Sequence, residues 1–150
     1  MTEVSMRMPA TAAQVFAVLA DGWSYGHWVV GSTHIRDGGP TWPQVGATIA
    51  HSIGAWPLMV QDSTAVIAAD PPHMLELRAR AWPFGQARIR LEINEIDAAT
   101  VEVRMLETVS HGPGRLLPGA LQAVLLKPRN SESLARLRDL VTSGYRTIGD

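Results

Sequence analysis

The sequence contains no cysteine, which excludes disulfide bonds and a cysteine nucleophile. Its formal net charge is only −1, and it has no block of basic residues through which nucleic-acid phosphates could be bound. The first residues also lack the charged-then-apolar order of a signal peptide. We therefore expect a cytoplasmic protein that does not bind nucleic acid.

Long apolar runs and metal-binding patterns are missing as well. The longest apolar stretch, around 116–126, is interrupted by Pro118 and Gly119 and is too short to span a bilayer. The sequence has no glycine-rich phosphate loop and no GxSxG elbow. Four of the five histidines are scattered, without the paired spacing of a zinc site: His27, His34, His73 and His111. We expect no metal and no cofactor.

What is present is hydrophobic sequence with regular patterning. Of the 150 residues, 46% are hydrophobic, enough for residues 1–150 to form one domain with a core of its own. Alternation over 4–8 predicts a first strand. Thr11 and Gln14 stand in capping-box spacing and predict a helix, and a second short helix is expected over 25–28.

From residue 35 to residue 110 the sequence has a period of two, which is typical of strands. Clean alternation predicts an antiparallel meander with one apolar and one polar face, and the helices at the two ends of the chain must cover the apolar face. The strands are predicted around Ile35 and over 47–53, 58–69, 75–81, 87–93 and 101–105.

The C-terminal region predicts two helices separated by Pro128. The first begins at Pro118, and the second covers Asn130–Thr142, capped by Asn130 or Ser131. The second carries an inward stripe of Leu134, Leu137, Leu140 and Val141. The segment 116–126 has three interpretations: a lid, a fixed helix that completes the core, or a homodimer contact.

The predicted order is strand, helix, short helix, antiparallel strands and long helix, and three segments carry a family likeness. They are VFAVLADGWSYGHWVVGS at 15–32, HSIGAWPL at 51–58 and GPGRLLP at 112–118. Over essentially its whole length the chain resembles a bacterial branch of the START-like, helix-grip superfamily, which includes polyketide cyclases, lipid-transfer domains and pollen-allergen-like binders. The expected fold is α+β, with a curved antiparallel sheet of six to seven strands around a long C-terminal helix and two short helices after the first strand.

The resemblance implies a cavity between the sheet and the C-terminal helix for a hydrophobic small molecule: a lipid, a polyketide or an aromatic compound. Trp28 and Trp56 are expected at this cavity because each flanks an apolar segment and offers a flat apolar surface with one donor. The other expected lining residues are Ile49, Ile53, Leu77, Leu91, Met105, Leu117, Leu121 and Leu137.

Two polar residues share the phase of inward apolar residues. His51 follows the phase of Ile49 and Ile53, and Glu107 continues that of Met105. Facing one cavity, they would be the proton-transfer groups of a catalytic site. The alternatives are a core histidine bonded to a backbone carbonyl and a Glu107 that meets water or an arginine.

Three functions follow from these features. The first is a module that binds a hydrophobic small molecule. The second is an enzyme of the polyketide cyclase/dehydratase type that uses His51 and Glu107. The third is a protein-interaction module whose core is filled.

Overall fold

The alternating segments form a seven-stranded antiparallel sheet. The computed structural model describes residues 1–29, 32–37, 41–53, 60–81, 85–112, 116 and 118–143. The strands are β1 (Thr2–Met8), β2 (Ser32–Asp37), β3 (Thr48–Ile53), β4 (Val60–Asp70), β5 (Met74–Ala81), β6 (Gly85–Asp97) and β7 (Thr100–His111).

The sheet order is β1-β7-β6-β5-β4-β3-β2, so the strands from β2 to β7 form a meander. β1 closes the other edge by pairing with β7, from Thr2 opposite Glu107 to Met8 opposite Val101. The register shifts between Val66 and Ala68, where a bulge interrupts the β4–β5 pair. This curved antiparallel sheet confirms the fold class expected from the sequence.

Two short helices follow β1, as predicted. α1 (Ala12–Leu19) begins with a complete capping box, in which the Gln14 amide donates to Thr11 Oγ1 over 3.2 Å and the Thr11 amide to Gln14 Oε1 over 2.8 Å. A 3-10 turn at Gly22–Ser24 then leads into α2 (Tyr25–Trp28). α1 and α2 lie on the same side of the sheet as the last helix.

The C-terminal region is one helix, and our prediction of two was wrong. α3 (Gly119–Thr142) runs for 24 residues with Pro128 inside it, so Asn130 is an interior residue and not a cap. A proline inside a helix removes one backbone hydrogen bond and costs about 3 kcal/mol. Pro128 is exposed and so is Val124, four residues earlier, so water can hydrogen-bond the carbonyl that the proline releases. Packing of the following turns maintains the helix.

The core lies between the inward face of the sheet and the helices. Apolar side chains of β3 to β7 meet those of α1, α2 and the second half of α3. Trp42 seals one edge: its indole donates to the Leu19 carbonyl over 2.9 Å. On the outer face, Arg104 donates to Glu3 (2.9 Å) and to Glu92 (3.2 Å) across the strands.

Candidate functional site

The two halves of α3 pack differently. None of the residues 119–129 is buried, and Leu121, Val124 and Leu125 are 44%, 68% and 57% exposed. From residue 130 onward the helix buries four side chains in the protein interior: Asn130, Ser133, Leu134 and Leu137. The second half therefore anchors α3, and the first half does not seal against the sheet.

The inward face of the sheet is also divided. Towards the Ile93 end of β6, which we call the sealed end, inward side chains such as Leu91, Val101 and Val103 are completely buried. Towards the other end, inward side chains remain partly exposed: Ala79, Ala87, Ile89 and Val109. We call this second group of four residues the open end.

Small side chains contribute to the partial exposure of the open end. Ala79 lies opposite Ala87, and Ala87 lies opposite Val109, in one row across β5, β6 and β7. The equivalent row towards the sealed end has Leu75, Leu91 and Met105, all buried. Replacing leucine by alanine in such a row removes side-chain volume that neighbouring residues must otherwise supply.

A buried carboxylate connects the sheet to α3. Glu107 on β7 is only 4% exposed, and it accepts hydrogen bonds from Asn130 Nδ2 at 2.9 Å and from Arg129 Nη2. Arg129 Nε in turn donates to Asn130 Oδ1 at 3.2 Å. Because a buried charge without a partner is costly, these contacts fix both the carboxylate and the middle of α3.

A buried phenol lies close to this ion pair. The Tyr25 hydroxyl is 3.5 Å from Thr64 Oγ1. Burial raises the pKa of Tyr25; the hydrogen bond to Thr64 lowers it, while the nearby Glu107 raises it and Arg129 lowers it. The phenol thus remains protonated at neutral pH. We call Tyr25, Thr64, Glu107, Arg129 and Asn130 the polar cluster.

The structure places the two proposed proton-transfer residues as follows. Glu107 is buried, as its phase predicts, and it meets an arginine. His51 is in β3 with its Cα opposite that of Asp62 on β4. The side chain of His51 lies outside the described part of the structure, so a convergence of His51 and Glu107 stays a prediction.

Of the ten predicted ligand-binding residues, six are buried, Leu121 is 44% exposed, and three have side chains outside the described part of the structure. Among the buried six, Trp28 is 3% exposed and packs edge-on against Tyr25, with ring centroids 5.6 Å apart. Trp56, Leu117 and the side chain of Ile53 lie outside the described residues. The remaining five are buried in the core: Ile49, Leu77, Leu91, Met105 and Leu137.

The sequence analysis missed most of the polar cluster. The break predicted at Pro128 puts Asn130 at the start of a helix, and the sequence pattern gives Arg129 no role. Thr64 shares the inward alternation of Val66, a signal that was present but was obscured by the bulge that follows. Tyr25 was placed on a short helix without a role.

Within the described ranges, no group of three or more His, Asp or Glu residues could hold a metal ion. In the same part of the chain, no helix is long and apolar enough to cross a membrane.

Comparisons with known proteins identify a family and a shared fold. A family model described as polyketide cyclase / dehydrase and lipid transport matches residues 1–142. No curated protein matches the sequence.

Solved structures from several bacteria share the fold. A conserved protein from Geobacillus kaustophilus has 12% identity and a TM-score of 0.73, with 96% of each chain covered. A START superfamily protein from Mycobacterium smegmatis has 12% identity and a TM-score of 0.71, covering 95% of this chain and 97% of that one. The Zhui aromatase/cyclase from Streptomyces sp. R1128 has 14% identity and a TM-score of 0.70, covering 99% and 96%. At such identities the likeness establishes the fold.

Proposed function

This chain belongs to the polyketide cyclase / dehydrase and lipid transport family, and on that premise we propose that it binds a hydrophobic small molecule between the sheet and the first half of α3. One observation carries the proposal: the partly exposed inward residues of the open end occur in the same molecule as a half-helix that buries none of its side chains. A lipid, a polyketide or an aromatic compound fits this surface.

The energetics support a guest at this position. Apolar surface that faces inward but stays accessible to water lacks about 25 cal/mol of hydrophobic stabilisation for each Å². A bound apolar molecule would recover that contribution from the open end and from the inner side of α3. Ligand pockets in proteins are mostly apolar with a few oriented polar groups, and the polar cluster supplies such groups beside the open end.

Binding accounts for the polar cluster better than catalysis does. Two donors from α3 engage the Glu107 carboxylate, which ties it to the helix as a positioning group. A cyclase or dehydratase would need a group that exchanges protons with its substrate. Turnover of a keto compound that is lost in both His51→Ala and Glu107→Gln, with binding retained, would favour the enzyme.

The first test is native mass spectrometry of freshly purified protein. We expect a population heavier than the sequence mass, with the difference lost on denaturation. Protein that carries no adduct is then titrated with the uncharged fluorescent probe N-phenyl-1-naphthylamine.

The second test blocks the open end. Ala87→Trp places an indole among the four residues, and we expect probe affinity to fall roughly tenfold or more. Arg88→Trp is the matched control, because the Arg88 side chain is 62% exposed on the opposite face of the same strand. A probe that fails to bind, or that binds Ala87→Trp as tightly as the parent protein, would contradict the proposal.

A further inference from the structure

We propose that the bound molecule is uncharged at its polar end, with a carbonyl or hydroxyl group there and no carboxylate. This inference rests on the proposed function and adds the chemical class of the ligand. It comes from the charge balance of the polar cluster and from its position beside the open end.

The polar cluster borders the open end on two strands. Glu107 lies directly opposite Ile89 in the β6–β7 pair, and Thr64 lies directly opposite Ala79 in the β4–β5 pair. Ile89 and Ala79 are two of the four partly exposed inward residues. Directly opposite residues have their Cβ atoms about 4.5–5.5 Å apart, so the polar cluster lies next to the open end.

The cluster contains one cation, and that cation is already neutralised. Arg129 donates to the Glu107 carboxylate and to Asn130. A ligand carboxylate beside Arg129 would be attracted by the guanidinium, but the Glu107 carboxylate that this guanidinium already pairs with would oppose part of that attraction. The ligand carboxylate would still lose its hydration, which is costly for an ion.

An uncharged oxygen does not meet this difficulty. A carbonyl or hydroxyl group loses far less hydration than a carboxylate. The guanidinium of Arg129, with its side chain 40% exposed, provides N–H donors to such an oxygen. The cluster therefore accepts a neutral acceptor more readily than an anion.

The test uses two probes with the same ring system. 2-Acetylnaphthalene ends in a ketone and 2-naphthoate ends in a carboxylate, and each displaces N-phenyl-1-naphthylamine near neutral pH. We expect the parent protein to bind the ketone about tenfold or more tightly than the carboxylate. This ratio needs no variant, so it tests the inference even if a substitution at Glu107 prevents folding.

Glu107→Gln supplies the second measurement. The amide keeps the shape of the side chain and removes the negative charge, which leaves Arg129 free to pair with a ligand anion. We expect naphthoate affinity to rise about tenfold, and by more than the affinity for the ketone. Glu102→Gln is the control: it removes a carboxylate from the same strand in the opposite phase of the alternation, and both affinities should be unchanged.

The outcomes separate the two proposals. Naphthoate binding to the parent protein as tightly as the ketone, or no gain in a folded Glu107→Gln, overturns the inference and leaves hydrophobic binding intact. If neither probe nor the fluorescent reporter binds, the proposed function itself fails and the inference fails with it.

Discussion

Leu137→Ala tests whether the second half of α3 anchors the helix. Leu137 is completely buried in the core between the helices and the sheet. Truncating a buried leucine to alanine removes its transfer free energy and leaves a cavity, and together these cost about 2–5 kcal/mol. Because a domain of this kind has roughly 5–15 kcal/mol of total stability, the loss is a large share of it.

Leu125→Ala makes the same chemical change in the first half of the same helix. Leu125 is 57% exposed, so truncation removes only the covered part of the side chain and should cost less than about 1 kcal/mol. The difference in helix propensity between leucine and alanine is common to both variants and cancels in the comparison. The contrast therefore reports packing alone.

Urea unfolding, followed by tryptophan fluorescence and by far-ultraviolet circular dichroism, measures the change in the free energy of unfolding. The expected order of stability is parent, then Leu125→Ala, then Leu137→Ala, with unchanged denaturant dependence. Equal losses for the two variants would refute the division of α3 into an anchored and an unanchored half.

Three further predictions concern single side chains. Arg129→Met should cost about 1–3 kcal/mol because it removes the cation from the buried Glu107 carboxylate, to which Asn130 still donates, whereas Arg138→Ala should be within about 0.5 kcal/mol of the parent in the same urea assay. Thr11→Ala removes the side-chain cap of α1 and should cost about 0.5–2 kcal/mol; no change in unfolding would show that the capping box adds nothing. Burial raises the pKa of Tyr25 above its usual 10.0. The contribution of the neutral phenol to the free energy of unfolding is therefore fully present below that pH, and it is lost as the pH rises through the folded-state pKa. Tyr25→Phe should therefore flatten the alkaline decline measured by urea unfolding, and an unaltered decline would contradict this assignment.

Much of the fold could be predicted because local chemistry and tertiary packing agree. The side chains of Thr11 and Gln14 each accept a hydrogen bond from the backbone amide of the other residue. This interaction is local, so the spacing of the two residues is sufficient to predict the start of α1. The alternation over β5, β6 and β7 reflects one buried face, and the structure confirms it.

The error at Pro128 has a different origin. Proline destabilises a helix interior by a local interaction, and a local rule predicts a break. The buried side chains Leu134 and Leu137, together with the contacts of Asn130 to Glu107, are made over long distances in sequence. Such tertiary packing outweighs the local cost, and it is not visible in the sequence of the helix itself.

The candidate site was only partly predictable for the same reason. Phase alone indicated that Glu107 is buried, but its partner Arg129 is 22 residues away on another element. The small residues Ala79 and Ala87 continue the inward phase of their strands, so the alternation alone does not separate them from buried core positions. Only their partial exposure distinguishes the open end from the sealed end.

The most direct test of the account is to locate a guest by nuclear magnetic resonance. Methyl-labelled protein saturated with N-phenyl-1-naphthylamine should show intermolecular nuclear Overhauser effects from the naphthyl ring to the methyl groups of Ala79, Ala87, Ile89 and Val109. Val101 and Val103, at the sealed end, should show none. Contacts confined to exposed outer residues such as Val45 and Ile96, with none to the open end, would contradict the account.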